Sequence, residues 1–419
     1  MGARARLAES LRSSGLAGTA VSEAFRSVPR HVFLPQESAA LAYDDMAIVI
    51  KSDAGGLPVS ASTQPAMMAI MLEQLGLAAR HRVLEIGTGS GYNAALIAHI
   101  VGDAKSVVTI EIEPDLADQA RAGLAAVGFG DITVVCGDGA DGVPGRAPYD
   151  RIIVTGGAWD LAPPWLAQLA PGGRIVAPVS VRGIQLAVAF ERDPLEHAAS
   201  RWIGTAARRC QFVRMAGPSA GPEKIVPLGP RPGLHALVTD GPAPEAGELH
   251  AALSGLATDV PAPSGLAVAD IAELADLDLW LALTEPGLSR LSMMGRHEGR
   301  ANQAQRRIAS LMPLGGFAEH GGAAKLGVAA LAVPSRSARG ARPFGIAVQG
   351  YGPGGAALAA RLAERAVVWD ELGRPGAGSL ELAAYPAGTR PEARAGTLVI
   401  RRPKTVLVAG GAAWNPTAS

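Results

Sequence analysis

One stretch restricts this chain more than any other: from Val83 to Tyr92 it reads VLEIGTGSGY, an apolar run that passes straight into alternating glycines and then into YNAALIAHIVG. Strand, glycine loop and helix make a nucleotide-type cradle, because glycine lets the backbone turn sharply and approach a ligand, and the N–H groups opening the next helix can face it. The glycines alone are a weak signal. They gain weight from VVTIEIEPDLADQAR, which sets Glu111 at the end of a second strand, where a carboxylate can accept hydrogen bonds from ribose hydroxyls. VVCGDGADG sets Asp138 after a third. Three strand ends, each with a polar group, describe one ligand site. A βα turn built only for packing would explain the glycines but not Glu111 and Asp138.

The surrounding pattern predicts an α/β fold. Strands near 82–86, 106–112, 132–136 and 150–155 alternate with helices near 91–101, 114–127 and 162–169, the period of a doubly wound parallel sheet. RARLAESLRSSG and VSEAFRSVPRHVFLP read as a helical cap over residues 1 to about 35, with Gly and Pro as stops. Residues 40–65 alternate short apolar strands with a Gly, Ser and Thr loop of the kind that often carries function. PGGRIVAPVS, GIQLAVAFERD and ARRCQFVRM read as an antiparallel end to the sheet, so the first domain is expected to span 1–220. VPLGPRPGLHALVTDGPAPEAG, within 221–250, reads as a Pro/Gly-rich linker, and 251–419 as a C-terminal α+β domain.

Composition removes several function classes. The 38 basic and 38 acidic residues balance, with no basic stripe, so nucleic acid is not an expected partner. No apolar run reaches membrane-spanning length and the N-terminus lacks the apolar core of a signal peptide, which argues for a soluble protein without a membrane partner. Cys136 and Cys210 make no disulfide framework; Cys136, at an apolar strand end, reads as a buried thiol, and a reducing cytoplasm fits. The eight histidines, His197 and His297 among them, are scattered singly, so no metal is expected. Gly350 to Gly355 satisfies G-x-G-x-x-G after an apolar strand, but a glycine-rich strand-to-helix turn explains it without a second nucleotide site. Trp280, Trp369 and Trp414 read as packing residues.

E-x-G-x-G-x-G, beginning at Glu85, resembles the first motif of S-adenosylmethionine-dependent methyltransferases of class I rather than a dinucleotide fingerprint. VLEIGTGSGYNAALIA, IEIEPDLADQAR, CGDGADG and YDRIIVTGGAWDLAPPWLAQLAPGGRIVAPV, with SVPRHVFLP, AYDD and STQP upstream, resemble the protein-L-isoaspartate O-methyltransferase family over roughly residues 20–190. The resemblance implies S-adenosyl-L-methionine as cofactor, with contacts falling on Glu85, Gly87, Thr88, Gly89, Gly91, Glu111, Ile112, Asp138 and Gly139. It implies a peptide or protein partner bearing an acceptor Asp or isoAsp. The family's hydroxyl beside the transferred methyl falls on Thr63, where the family motif has Ser, with Ser60 and Ser62 nearby.

The chemistry asks for few catalytic groups. A carboxylate of reference pKa about 4 is already ionised at neutral pH and attacks a sulfonium methyl without a general base. Holding two reactants in line supplies roughly 7–11 kcal/mol. Ser60, Ser62 and Thr63 are therefore expected to hold the acceptor while Asp45, in AYDD, shapes the pocket. Against this, the hydroxyls could merely cap the helix starting near Pro65, and Asp45 could be a solvated turn residue. The long C-terminal portion resembles that of actinobacterial enzymes associated with ribosomally made peptides of the graspetide, lanthipeptide or lasso type, which implies esterification of an Asp that then cyclises to aspartimide. The alternatives are a repair enzyme for L-isoaspartyl residues and a non-catalytic protein that only binds the donor.

Overall fold

The computed structural model describes residues 2–54, 56–195, 201–217, 220–227, 234–261, 266–285, 287–295, 316–321, 325–332, 344–392 and 394–415. His197, His297, residues 228–233 of the expected linker and 333–335 lie outside them. The chain opens with α1 (Ala3–Ser13) and α2 (Thr19–Ser27), whose Leu7, Leu11, Val21 and Phe25 pack into one apolar cluster with the helix that follows the glycine loop. A hairpin of β1 (Ile48–Ser52) and β2 (Pro58–Ser62) precedes α3 (Pro65–Leu75). Pro65 starts α3 where its missing N–H costs nothing, and Gly76, at φ +61°, ends it in the left-handed conformation.

The alternating core follows as β3 (Val83–Ile86), α4 (Tyr92–Val101), β4 (Val107–Glu111), α5 (Pro114–Ala126), β5 (Thr133–Cys136), β6 (Tyr149–Val154) and α6 (Pro163–Ala167), then β7 (Leu169–Val181), β8 (Ile184–Arg192) and β9 (Trp202–Cys210). β3, β4, β5, β6 and β7 are parallel, and β8 and β9 run antiparallel. The chain winds outward from β3 through β4 to β5 and returns to β6 on the other side of β3. That reversal opens a crevice at the carboxyl ends of β3 and β6, where open α/β sheets bind ligands.

The stretch read as a linker carries β10 (Lys224–Pro227), β11 (Leu234–Asp240) and α7 (Ala246–Ser254). They join β12 (Thr258–Pro261), β13 (Ala267–Val268), α8 (Ile271–Thr284), β14 (Ser289–Gly295), β15 (Gly316–Gly321), β16 (Lys325–Ala332), β17 (Phe344–Gly345), β18 (Ala347–Tyr351) and α9 (Gly355–Glu371). Seven of these strands form an antiparallel sheet in the order β10-β11-β14-β15-β16-β18-β12.

The chain then crosses back. β19 (Glu381–Pro386), β20 (Thr397–Arg401) and β21 (Thr405–Gly410) extend the first sheet, with Leu382 opposite Gly204 and Ala384 opposite Trp202. One apolar cluster holds Leu186, Phe190 and Trp202 of the first sheet together with Trp280, Trp369, Leu382, Leu407 and Trp414. The two sheets therefore share one cluster, while a second cluster lies wholly within residues 7–212 and a third wholly within 226–351, on either side of the boundary expected near residue 220.

Two further expectations meet specific geometry. Cys136 is exposed rather than buried, because β5 is the edge strand of the sheet and its end has no neighbour on one side. Gly350 belongs to β18, which is antiparallel to both neighbours, whereas a nucleotide-binding βαβ unit is parallel. A Cβ on Gly350 would lie 2.2 Å from the carbonyl oxygen of Gly355, so glycine there allows close strand-to-helix packing. No described helix is long and apolar enough to cross a membrane.

Candidate active site

The glycine loop between β3 and α4 has φ values of +97°, +53° and +85° at Gly87, Gly89 and Gly91, a conformation that favours glycine. A Cβ on Gly87 would fall 2.7 Å from the Thr155 hydroxyl, which itself donates to the carbonyls of Ile86 and Gly87. The loop is thereby pinned from the end of β6. Glu111, almost fully buried at the end of β4, accepts hydrogen bonds from the Gly89 N–H at 2.8 Å and the Glu113 N–H at 3.1 Å. Each carboxylate oxygen keeps lone-pair capacity for another donor. Asp138, at the end of β5, accepts from the Ala140 N–H at 2.8 Å, and a Cβ on Gly139 would lie 2.6 Å from Ile86 Cγ2.

Phe212 to Gly217 closes one side of this cleft. The Gly157 N–H donates to the Val213 carbonyl and the Met215 N–H to the Gly157 carbonyl, while a Cβ on Gly217 would sit 3.3 Å from Asp138 Oδ2 and 3.8 Å from Ile112 Cδ1.

Two of the expected contacts lie beneath this surface. Glu85 is fully buried and accepts hydrogen bonds from Asn93 Nδ2 at 2.8 Å and from Thr109 Oγ1 at 2.6 Å; Thr109 also meets the buried Thr88 hydroxyl at 2.7 Å. Glu85 and Thr88 brace the loop from below. Burial pushes the Glu85 carboxyl up from its ordinary 4.5 to about 7, against the two hydrogen bonds that favour the anion and with help from the nearby Glu111. The folded state therefore holds this proton to higher pH than the unfolded chain does. The stability it contributes is present below about pH 4.5 and is lost as pH rises through about 7. Glu85→Gln removes that slope: the melting temperature, followed over about pH 5–8, should fall less with pH than in the native chain.

The acceptor side is built by the hairpin and the loop before it. A Cβ on Gly89 would lie 3.6 Å from Ser60 Oγ and 3.9 Å from Ile50 Cδ1, so the hairpin lies over the glycine loop. Lys51 ties it down, with Nζ 2.6 Å from both Glu113 and Asp115. The Ser60 and Thr63 hydroxyls make no hydrogen bond among the described residues. Ser62, by contrast, is buried and accepts from Arg30 Nη2 at 3.3 Å. None of the three caps α3; that place belongs to Asp45, whose carboxylate accepts from the Ala66 N–H at 2.8 Å and Gln64 Nε2 at 3.0 Å. Asp45 thus anchors the AYDD loop to the start of α3.

Several residues that sequence reading passed over organise the site. Arg30, fully buried, donates to the carbonyls of Ala42, Asp44, Met46 and Thr63 as well as to Ser62. Its signal stood inside SVPRHVFLP, with nothing in the pattern to mark the arginine as interior. Trp165 of α6 donates to the Gly139 carbonyl at 2.8 Å. Arg402, beyond β20, donates to the carbonyls of Trp159 and Ser180 and lies over the Trp159 ring, and the Thr405 hydroxyl donates to Asp160.

This geometry meets a clear likeness. The family model for protein-L-isoaspartate(D-aspartate) O-methyltransferase matches residues 3–218. The chain belongs to that family. A protein-L-isoaspartate O-methyltransferase of Archaeoglobus fulgidus is 44% identical over 190 residues, 45% of this chain and 84% of its own length. One from Methanopyrus kandleri is 45% identical over 217 residues, 51% of this chain and 92% of its own. A solved protein-L-isoaspartate O-methyltransferase aligns with 91% of this chain and 96% of its own at 22% identity and a TM-score of 0.48. The chain is thus an S-adenosylmethionine-dependent methyltransferase of the protein-L-isoaspartate type. The cradle fits that donor: the glycine loop turns sharply at the carboxyl end of β3, and Glu111 and Asp138 offer acceptors at adjacent strand ends.

Proposed function

We propose that this chain esterifies the side-chain carboxylate of an Asp in a conformationally constrained peptide, and that the ester then closes to aspartimide. In this reading Glu111 and Asp138 hold the hydroxyls and adenine edge of the donor beside Ile112, Gly87, Gly89, Gly91 and Gly139 shape the floor, and Glu85 and Thr88 brace it. The donor supplies a methyl group on a positively charged sulfur. The Ser60 and Thr63 hydroxyls donate to the acceptor carboxylate and keep one oxygen in line, Ser62 and Asp45 hold the hairpin in place, and no general base is needed because the carboxylate is already an anion. One C–O bond forms as one C–S bond breaks. The backbone nitrogen of the following residue then attacks the ester carbonyl, methanol departs, and a five-membered imide remains.

The observation that carries this reading is the pair of unengaged hydroxyls, Ser60 on the hairpin laid over the glycine loop and Thr63 just after it. Thr63, standing where the family motif has Ser, supports an acceptor other than a generic damaged protein. We assign recognition of the folded acceptor to residues 251–419, and place the enzyme in the reducing cytoplasm as part of the same proposal. Repair of L-isoaspartyl residues is the second reading, favoured by the family match over 3–218.

Mass spectrometry with isotopically labelled donor separates the two. A constrained Asp peptide should gain one methyl group and then lose methanol, while short isoaspartyl peptides stay unmodified; rapid turnover of the isoaspartyl peptides alone would establish repair. Ser60→Ala should lower kcat by about a hundredfold, the usual effect of deleting one oriented donor.

A further inference from the structure

A cavity of about 220 Å³ lies outside the cleft just described, between α6 and the strands that the C-terminal segment adds to the first sheet. Pro163 and Leu166 of α6, Trp202, Tyr385, Arg192 and Lys404 are among the residues that line it. No acidic side chain is among the described residues that line it. Arg192 lies over the Trp202 ring, its guanidinium carbon 5.6 Å from the ring centroid. Neither Arg192 nor Lys404 has a carboxylate partner among the described residues, although ion pairs engage arginines throughout the rest of the fold. An aromatic lining beside two cations without an ion-pair partner suits an apolar side chain flanked by carboxylates.

The cavity also adjoins the donor cleft through shared elements. Next to Leu166 on α6 stands Trp165, whose indole N–H holds the Gly139 carbonyl. The Lys404 N–H donates to Asp160 Oδ2 at 2.8 Å, in the loop that leads from β6 into α6. Whatever fills the cavity therefore rests on the helix that fixes the donor loop.

We infer that this cavity is a docking site for an acidic segment of the acceptor peptide, one carrying an aromatic or large aliphatic side chain between carboxylates, remote from the residue that is methylated. The inference rests on the reading of the chain as a peptide carboxyl methyltransferase. It is tested with the full-length enzyme, an acceptor peptide, and the same peptide extended by Glu-Phe-Glu-Phe-Glu. The extension should lower KM by about tenfold at unchanged kcat, as expected for an anchor placed in a pocket. In Arg192→Glu/Tyr385→Ala the short peptide should keep its kcat and KM while the extended one loses its advantage. An extension without effect on KM, or an advantage that survives in the variant, overturns the inference. A fluorescein-labelled Glu-Phe-Glu-Phe-Glu peptide, which contains no acceptor Asp, decides the matter by anisotropy even if neither acceptor is methylated. Salt-sensitive binding to the native chain that weakens about tenfold in the variant supports the site, and equal binding to both overturns it. Matching melting temperatures show that the variant is folded.

Discussion

Residues 1–220 expressed alone are expected to yield no soluble, active enzyme. The two archaeal relatives align over 84% and 92% of their own length with about half of this chain, and the family model with residues 3–218, so the expectation concerns what this sequence has done to that half. Its sheet does not end at β9: Leu382, Ala383 and Ala384 pair with Gly204, Ile203 and Trp202. Truncation bares that edge and removes Trp280, Trp369, Leu382, Leu407 and Trp414 from the cluster that buries Leu186, Phe190 and Trp202. Fully burying one large apolar side chain contributes roughly 1.5–3 kcal/mol, so a handful of such losses equals the roughly 5–15 kcal/mol that stabilises a whole domain. Polar links go as well. Arg209 on β9 pairs with the buried Asp278 of α8 at 2.7 Å, Arg182 with Asp240, and Arg402 with the Trp159 and Ser180 carbonyls. Soluble yield, circular dichroism and methyl transfer measured on the fragment check this; a soluble fragment with full turnover would show that the C-terminal half is only appended.

Replacing Arg30 should have the next largest effect. Its guanidinium donates five hydrogen bonds, four to backbone carbonyls, and joins the 42–46 loop to the Ser62–Thr63 segment. Burial disfavours the charge, and the neighbouring Asp45 and Tyr92 offset part of that cost. Arg30→Met leaves buried acceptors unpaired at about 1–3 kcal/mol each, so a loss of several kcal/mol is expected. Arg30→Lys should rescue little, because one ammonium cannot span carbonyls that the planar fork reaches together. Denaturant titration measures the stability. Kinetics should show kcat/KM for the acceptor falling far more than affinity for the donor, since Arg30 bonds directly to Ser62 and Thr63 and meets the end of the glycine loop only through the Tyr92 ring, 5.9 Å away.

Much of the donor cleft was legible because its signals are local. A run of four strand residues, three glycines that need positive φ and an acid at the next strand end all fall within thirty residues, and backbone sterics leave few other uses for them. The return of β19 and β21 to the first sheet was not legible. ELAAYP and TVLVAG are short apolar runs that would suit the second sheet equally, and pairing partners about 180 residues apart leave no local trace. The AYDD carboxylate is a related case: nothing in a turn sequence says that Asp45 caps α3 across nineteen to twenty-one positions. Arg30 went unread because arginine is rarely a fully buried residue, and only the folded carbonyl cage reveals why it is here.

The most direct test of the donor cleft is calorimetric titration of S-adenosylhomocysteine into the native chain and into Glu111→Gln/Asp138→Asn. Hydrogen bonds to charged groups contribute about 1.5–3 kcal/mol each, so the double variant should bind at least about a hundredfold more weakly while melting as a folded protein. Equal affinity in the two proteins would contradict the placement of the donor at the ends of β4 and β5.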